Sequence, residues 1–439
     1  MNKLKRFIPY FILFISICIV NLLFITNNMD EVWNYGFSYA IRLGEVPYRD
    51  FNLILPPFYP YFMSIPLFIN NSYLSFILFH SLIMTGCFYL LFKMYKDYSY
   101  LILLISFLLF SIIYPTYNAF LLVLLVLIIY LEKSEYKNKD YLIGLVVALS
   151  ILTKHSVGIF FIIPSLLFYK KVNLGKRFIG FIIPNIIFLI YLLVTKTLFA
   201  FINLCVLGMF DFSSNSLGIT ISLIIFIIIF IISIFILVKN KSNINNYYLI
   251  LAYSIYLPLF DSLHLFYVIF IFLILLGENY KISSINYKLV FFVCISIIGI
   301  FVGYNKFKYG FIYPNNINHF EFKFISPNHL GISNDVLAYI KDNDVLFYDD
   351  EAYFYKIASD SKIGFLDIVN HGNHGYNGSD KIIGYIEDNK DKLFLVKKDT
   401  KERIKFRRTQ LDKDGYLYII KHFKKIDSIQ LYDVYKYDE

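Results

Sequence analysis

Apolar runs of about 18 to 20 residues recur from Phe7 to about Val302. Each is long enough to cross a hydrocarbon core of roughly 30 Å. With 58% hydrophobic and 20% aromatic residues, the chain lies far from a soluble average. The pattern predicts an α-helical polytopic membrane protein. From about Asn305 the composition changes abruptly to Asp, Lys, Asn and Gly, without another spanning run. Residues 1–305 therefore read as a transmembrane domain with an external first loop, 27–71. Residues 306–439, about 130 in all, suit a single small soluble core.

Helices are predicted at about 7–26, 72–92, 99–114, 118–131, 141–153, 157–169, 178–195, 218–238, 247–260, 264–277 and 288–305, so about eleven transmembrane helices. The basic residues then sort by side. Lys3, Lys5, Arg6, Lys93, Lys96, Lys133, Lys137, Lys139, Lys170, Lys171, Lys176, Arg177, Lys239, Lys241, Lys281 and Lys288 fall on one face; Arg42, Arg49, Lys154 and Lys196 fall on the other. That asymmetry, about sixteen against four, is a positive-inside signal. It places the N-terminus in the cytoplasm and the C-terminal domain outside, in a multi-pass protein of the cell membrane. The stretch Leu53–Ile69 is apolar but carries Pro56, Pro57, Pro60 and Pro66. Were it to span, every later loop would flip, so 30–71 reads as one external loop with interfacial helices.

The net charge of +9 would suggest nucleic acid in a soluble protein, but here much of it lies in short loops, where topology accounts for it; no nucleic-acid partner is expected. Lys3-Leu4-Lys5-Arg6 and the following apolar run have the outline of a signal peptide, but the bulky Ile25-Thr26-Asn27-Asn28 offers no small-x-small cleavage site, so an uncleaved first helix is expected. Cys18, Cys87, Cys205 and Cys294 all precede the tail, which is thus no disulfide scaffold, and no Cys/His spacing points to zinc. The heavy use of Ile, Asn, Lys, Phe and Tyr hints at a bacterial, AT-rich genome.

Several ionisable residues gather on the predicted external side. Asp30-Glu31 follows the first helix directly. A carboxylate there could take a proton from an attacking hydroxyl, or the pair could simply flank a solvated loop. In Tyr48-Arg49-Asp50-Phe51, Arg49 could hold phosphate with its planar fork, or Arg49 and Asp50 could pair and pin the loop. Lys154-His155 interrupts two apolar stretches; Lys154 could meet a lipid phosphate or snorkel at a helical hairpin. Asp261 and His264 are three apart, a spacing that shares a helix face. They could hold phosphate, support a base or bond each other, and two ligands are too few to define a metal site.

In the tail, 345–350 and 392–396 read as strands and 351–358 and 381–388 as helices, so a small α/β domain is expected. His371-Gly372-Asn373-His374-Gly375-Tyr376-Asn377-Gly378 is rich in glycine; it reads first as a turn and second as a metal or sugar site. The tail lacks the glycine-rich patterns of nucleotide sites.

Asp30-Glu31 at the outer end of the first helix, then Gly44-Glu45-Val46-Pro47-Tyr48-Arg49-Asp50-Phe51 and Pro56-Pro57-Phe58-Tyr59, resembles the GT-C class of integral-membrane glycosyltransferases. Protein O-mannosyltransferases and the aminoarabinose transferases of lipid A are relatives in that class. The resemblance takes in the multi-span body and an external C-terminal domain, with echoes at Lys154-His155 and Asp261-x-x-His264. It implies transfer of a sugar from a polyprenyl-phosphate carrier to an acceptor hydroxyl on a cell-surface glycan or lipid, outside the membrane. Asp30 would be the catalytic base with Glu31 beside it. Arg49, Lys154 and His264 would stabilise the leaving lipid phosphate, with Asp50, His155 and Asp261 in the same binding group. No organic cofactor is implied, and a divalent cation is left open. Membrane lipids are the remaining partner. Two other readings stand beside this one: a non-catalytic flippase or transporter of lipid-linked glycans, and a polysaccharide polymerase or ligase.

Overall fold

The computed structural model describes residues 3–23, 29–95, 110, 113–209, 221–257, 262–280, 319–320, 333–349, 352–362, 364, 369, 373–405 and 411–438. The predicted helices 99–114 and 288–305 lie largely or wholly outside the described residues. The chain divides into two compact units. The first comprises Met1–Phe24, Ile77–Tyr191 and Asn215–Lys308; the second comprises Ile25–Phe76, Leu192–Ser214 and Tyr309–Glu439. Residues 25–76 and 192–214 thus group with the C-terminal portion.

The fold is mostly helical. Three helices among the described residues are long and apolar enough to cross a membrane: Tyr73–Tyr95, Leu174–Val194 and Ile221–Lys239, of 23, 21 and 19 residues. At 1.5 Å per residue they reach roughly 29–35 Å, the thickness of a hydrocarbon core. Shorter apolar helices run over Phe7–Leu22, His155–Leu167, Leu198–Leu207 and His264–Asn279. Ile221–Lys239 leaves many isoleucines exposed, a surface suited to lipid. The stretch Leu53–Ile69 forms only the helix Phe58–Ser64 and a 3-10 turn, Ile65–Phe68, both too short to span.

In the first unit, Tyr117–Lys133 and Lys139–Thr153 form a helical hairpin. Thr116 caps the first helix, its hydroxyl accepting from Ala119 N. Lys139 closes the turn by donating to the carbonyls of Glu132 and Ser134 at 3.0 and 2.9 Å. Two glycines let this hairpin meet the helix Leu174–Val194 backbone to backbone: a Cβ at Gly144 would overlap the Arg177 carbonyl, and one at Gly180 the Tyr141 carbonyl. Beside that crossing, buried Arg177 ties four elements together. Its guanidinium donates to Glu132, Asp140, Ser165 and Tyr248 at 2.7–3.2 Å. A second node lies at Glu278, which accepts from Tyr95, Asn243 and Asn245 and pairs with Lys133 at 2.8 Å.

The second unit holds a four-stranded sheet in the order β1-β2-β4-β3, with β1 Val345–Tyr348, β2 Leu393–Lys397, β3 Phe423–Ile429 and β4 Tyr432–Tyr437. β1 and β2 are parallel; β4 runs antiparallel to both β2 and β3. Side chains alternate between faces along each strand. Leu346, Tyr348, Phe394 and Val396 meet the helices Gly378–Asp388 and Lys413–His422 through Ile382, Ile386 and Ile419. Val345, Phe347, Leu395 and Val434 meet Asn334–Asp342 and Ala352–Ala358 through Val336, Ile340 and Tyr355. The result is a three-layer α/β/α arrangement around a sheet near the C-terminus.

Candidate functional site

The expected site residues fall in both units. Lys154 and His264 belong to the first. Lys154 has extended dihedrals between the helices Lys139–Thr153 and His155–Gly158. That break stops the helix and lets the chain reverse at once, with Gly158 closed against the backbone of Ser150 and Ile151. The reversal leaves Lys154 only 6% exposed. Its Nζ donates to Asn118 Oδ1 at 2.9 Å and lies 5.3 Å from the centre of the Tyr117 ring. The Asn118 amide nitrogen, which can only donate, lies 3.3 Å from Nε2 of buried His264. Asn118 thus bridges the lysine and the histidine. Thr116 and Tyr267 join hydroxyls at 3.1 Å beside them. His155 stands next in sequence, partly buried, at the start of the restarted helix. Asp261 lies outside the described residues.

Asp30, Glu31, Arg49 and Asp50 belong to the second unit. Asp30 and Glu31 occupy the first turn of the helix Met29–Arg42, where acidic residues suit the helix dipole. Asp30 is half-buried, and Glu31 is buried. The helix is held firmly: Val32, Tyr35, Tyr39 and Ala40 are buried, Phe37 meets Tyr353 edge-on, and Gly36 has no side chain to collide with the Tyr353 ring. Tyr39 donates to Asp360 at 2.9 Å, and burial together with that carboxylate pushes the Tyr39 hydroxyl up.

The Arg49–Asp50 pair has a clear structural role. Arg49 donates twice to the Asp50 carboxylate, at 3.0 and 2.9 Å, and the backbone N–H of Val46 donates to it at 2.7 Å. Asp50 thereby closes the tight turn in which Tyr48 takes a positive φ of 71°. The Arg49 hydrogen bond, aided by Val46, holds the Asp50 carboxyl below its ordinary range. Arg49 is exposed, and the described contacts place it in the loop-pinning pair.

The glycine-rich turn, read second as a metal or sugar site, forms a cluster in the same unit. His374 is 3% exposed, and its Nδ1 accepts from Asn52 at 2.9 Å. Lys381 donates to the His374 carbonyl at 3.1 Å and to Asn203 Oδ1. Gly375, at φ 79°, lies against Asn203 and Gly208, so a side chain there would be both strained and crowded. Three stretches distant in sequence therefore converge: the segment after Pro47, the 200s and the glycine-rich turn. The adjacency of Asn373 and His374 to two glycines was the only signal available. His371 lies outside the described residues.

Among the described residues, no group of three or more His, Cys, Asp or Glu side chains is placed to hold a metal ion. No protein-family model, no curated protein and no solved structure matches this chain. The fold and its sites define a mostly helical protein with candidate membrane spans and a small α/β layer near the C-terminus.

Proposed function

We propose that this protein is a polytopic glycosyltransferase of the GT-C type. It takes a sugar from a polyprenyl-phosphate carrier and transfers it to an acceptor hydroxyl on a cell-surface glycan or lipid. In this reading about eleven helices cross the membrane, the N-terminus is cytoplasmic, and transfer takes place at the outer face. One observation carries the reading: the apolar first unit buries a lysine amino group beside an asparagine and a histidine, at the end of a broken helix. Polar and ionisable groups kept in such surroundings mark functional sites in membrane proteins. An ammonium suits a leaving lipid phosphate, whose developing charge it would stabilise.

Asp30 is the proposed base. It is half-buried in the first turn of a firmly packed helix. As the acceptor oxygen bonds to the anomeric carbon, the carbon–oxygen bond to the lipid phosphate breaks, and the acceptor proton passes to Asp30. Glu31 is the buried neighbour in sequence. The test is transfer of labelled sugar from a synthetic polyprenyl-phosphate donor by the purified full chain. Wild type is expected to form a glycosidic product, and Asp30→Asn to lose about 100-fold or more in rate. Undiminished transfer in Asp30→Asn removes that base; movement of the donor across a bilayer with no new glycosidic bond replaces the whole reading by a flippase.

A further inference from the structure

The sheet carries a second constellation. β1 and β2 are parallel neighbours, and the chain leaves their C-terminal ends toward opposite faces. After β1 comes Ala352–Ala358, packed on the face of Phe347 and Leu395. After β2 comes Thr400–Lys405, whose Ile404 packs on the face of Leu346 and Val396. In open α/β sheets, strand ends that part in this way characteristically flank a ligand-binding crevice.

The pleat brings charge to that crevice. Residues two apart share a face, so Asp349 follows Phe347 and Lys397 follows Leu395 onto one side. Tyr432, opposite Lys397 in the register, joins them from β4. The Tyr432 hydroxyl donates to Asp349 Oδ2 at 2.6 Å, Lys397 Nζ lies 3.3 Å from the same oxygen, and Arg403 Nη1 lies 3.8 Å from Oδ1. The Asp349 side chain is 0% exposed, whereas Lys397 and Arg403 retain 10% and 21%. The carboxylate is therefore a buried anchor, and the two cations beside it keep some exposed surface. Thr400 follows at the start of the next helix. It is fully buried, and its hydroxyl has no hydrogen-bond partner among the described residues. A buried hydroxyl left in that state is costly.

We propose that this crevice binds the phosphate group of a small molecule. Arg403 supplies a planar fork, Lys397 a point charge and Thr400 a hydroxyl donor, which together suit a tetrahedral oxyanion. Asp349 and Tyr432 hold the cations in place. This binding is separate from the proposed sugar transfer and does not depend on it.

The experiment is a thermal-shift and calorimetric titration of the purified full chain with inorganic phosphate and with a sugar monophosphate, against chloride at matched ionic strength. Wild type is expected to show a saturable stabilisation by phosphate that chloride does not give. Tighter binding of the sugar phosphate identifies an esterified ligand, and equal binding identifies the free ion; both support the site. Arg403→Met is expected to weaken binding about tenfold or more. Thr400→Val, which removes the hydroxyl at nearly constant volume, is expected to melt no lower than wild type without phosphate and to bind phosphate at least about threefold more weakly. The proposal is overturned if wild type shows no saturable response beyond chloride. It is equally overturned if a folded Arg403→Met or Thr400→Val protein binds phosphate as wild type does.

Discussion

The side-chain amide of Asn52 donates to Nδ1 of His374 at 2.9 Å, joining residues 322 positions apart in a buried setting. Removing one partner costs the other this buried hydrogen bond. Asn52→Leu is therefore expected to destabilise the protein by about 1–3 kcal/mol. His374→Leu should cost a similar amount, and the double variant less than the sum of the two, because the shared bond is lost only once. Melting curves of the three variants decide this, and strictly additive losses would refute the coupling.

Arg177 offers a larger effect. It is 4% exposed and satisfies Glu132 and Asp140 together. Arg177→Met leaves two partly buried carboxylates side by side without their cation, with an expected cost of about 3 kcal/mol. Arg177→Lys keeps the charge but not the fork, so it should rescue only in part. Neutralising all three, with Arg177→Met, Glu132→Gln and Asp140→Asn, should recover much of the loss. Denaturation in detergent that found the single and triple variants equally unstable would count against this account.

The turn at Asp50 gives a pH dependence with a definite sign. Its folded carboxyl is depressed by the Arg49 hydrogen bond and by Val46 N–H. A depressed carboxylate stabilises the fold above its unfolded value, near pH 4, and that contribution fades as pH falls through the folded value. Because the pair is largely solvent-screened, the contribution is at most about 1 kcal/mol. Asp50→Asn should therefore lower stability slightly at pH 7 and match wild type at the acid end. Stability curves from pH 7 down to 2 test this; an equal gap at every pH would contradict it.

Much of this architecture is legible from the residues, and what is not has physical causes. Tyr117–Lys133, Lys139–Thr153 and Leu174–Val194 announce themselves as long apolar runs. β1 and β2 are recognisable because both faces of these strands are covered, which makes them short continuous apolar stretches. β3 and β4 carry Lys424, Lys425, Asp427, Asp433 and Lys436, and the exposed edge strand β3 has no apolar pattern to betray it. The Arg49–Asp50 pair was open to two readings because a cation beside an anion looks the same whether it binds a ligand or closes a turn. The setting of His374 was hidden for a different reason: its partner Asn52 is far away in sequence, and the glycine neighbours favoured a turn over a metal or sugar site. Asn118, which orients both Lys154 and His264, gives no signal at all inside the run Tyr117–Lys133, since a lone asparagine at a helix start reads as a cap.

That bridging role yields the sharpest test of the proposed chemistry. Asn118 holds Lys154 through Oδ1 and His264 through Nδ2, so its two ends are chemically distinct. Lys154→Met removes the ammonium and is expected to lower the rate of sugar transfer about 100-fold, the scale of a lost charge-stabilising donor. Asn118→Asp keeps an acceptor for Lys154 but replaces the donor toward His264, so it should act through geometry and charge, with a smaller loss. Asn118→Leu breaks both contacts and should approach the Lys154→Met rate while leaving the lysine present. The ordering separates a positioned cation from one that merely fills space. If Lys154→Met transfers sugar at the wild-type rate while Asn118→Leu is inactive, the lysine has no part in stabilising the leaving phosphate, and the cluster serves packing alone.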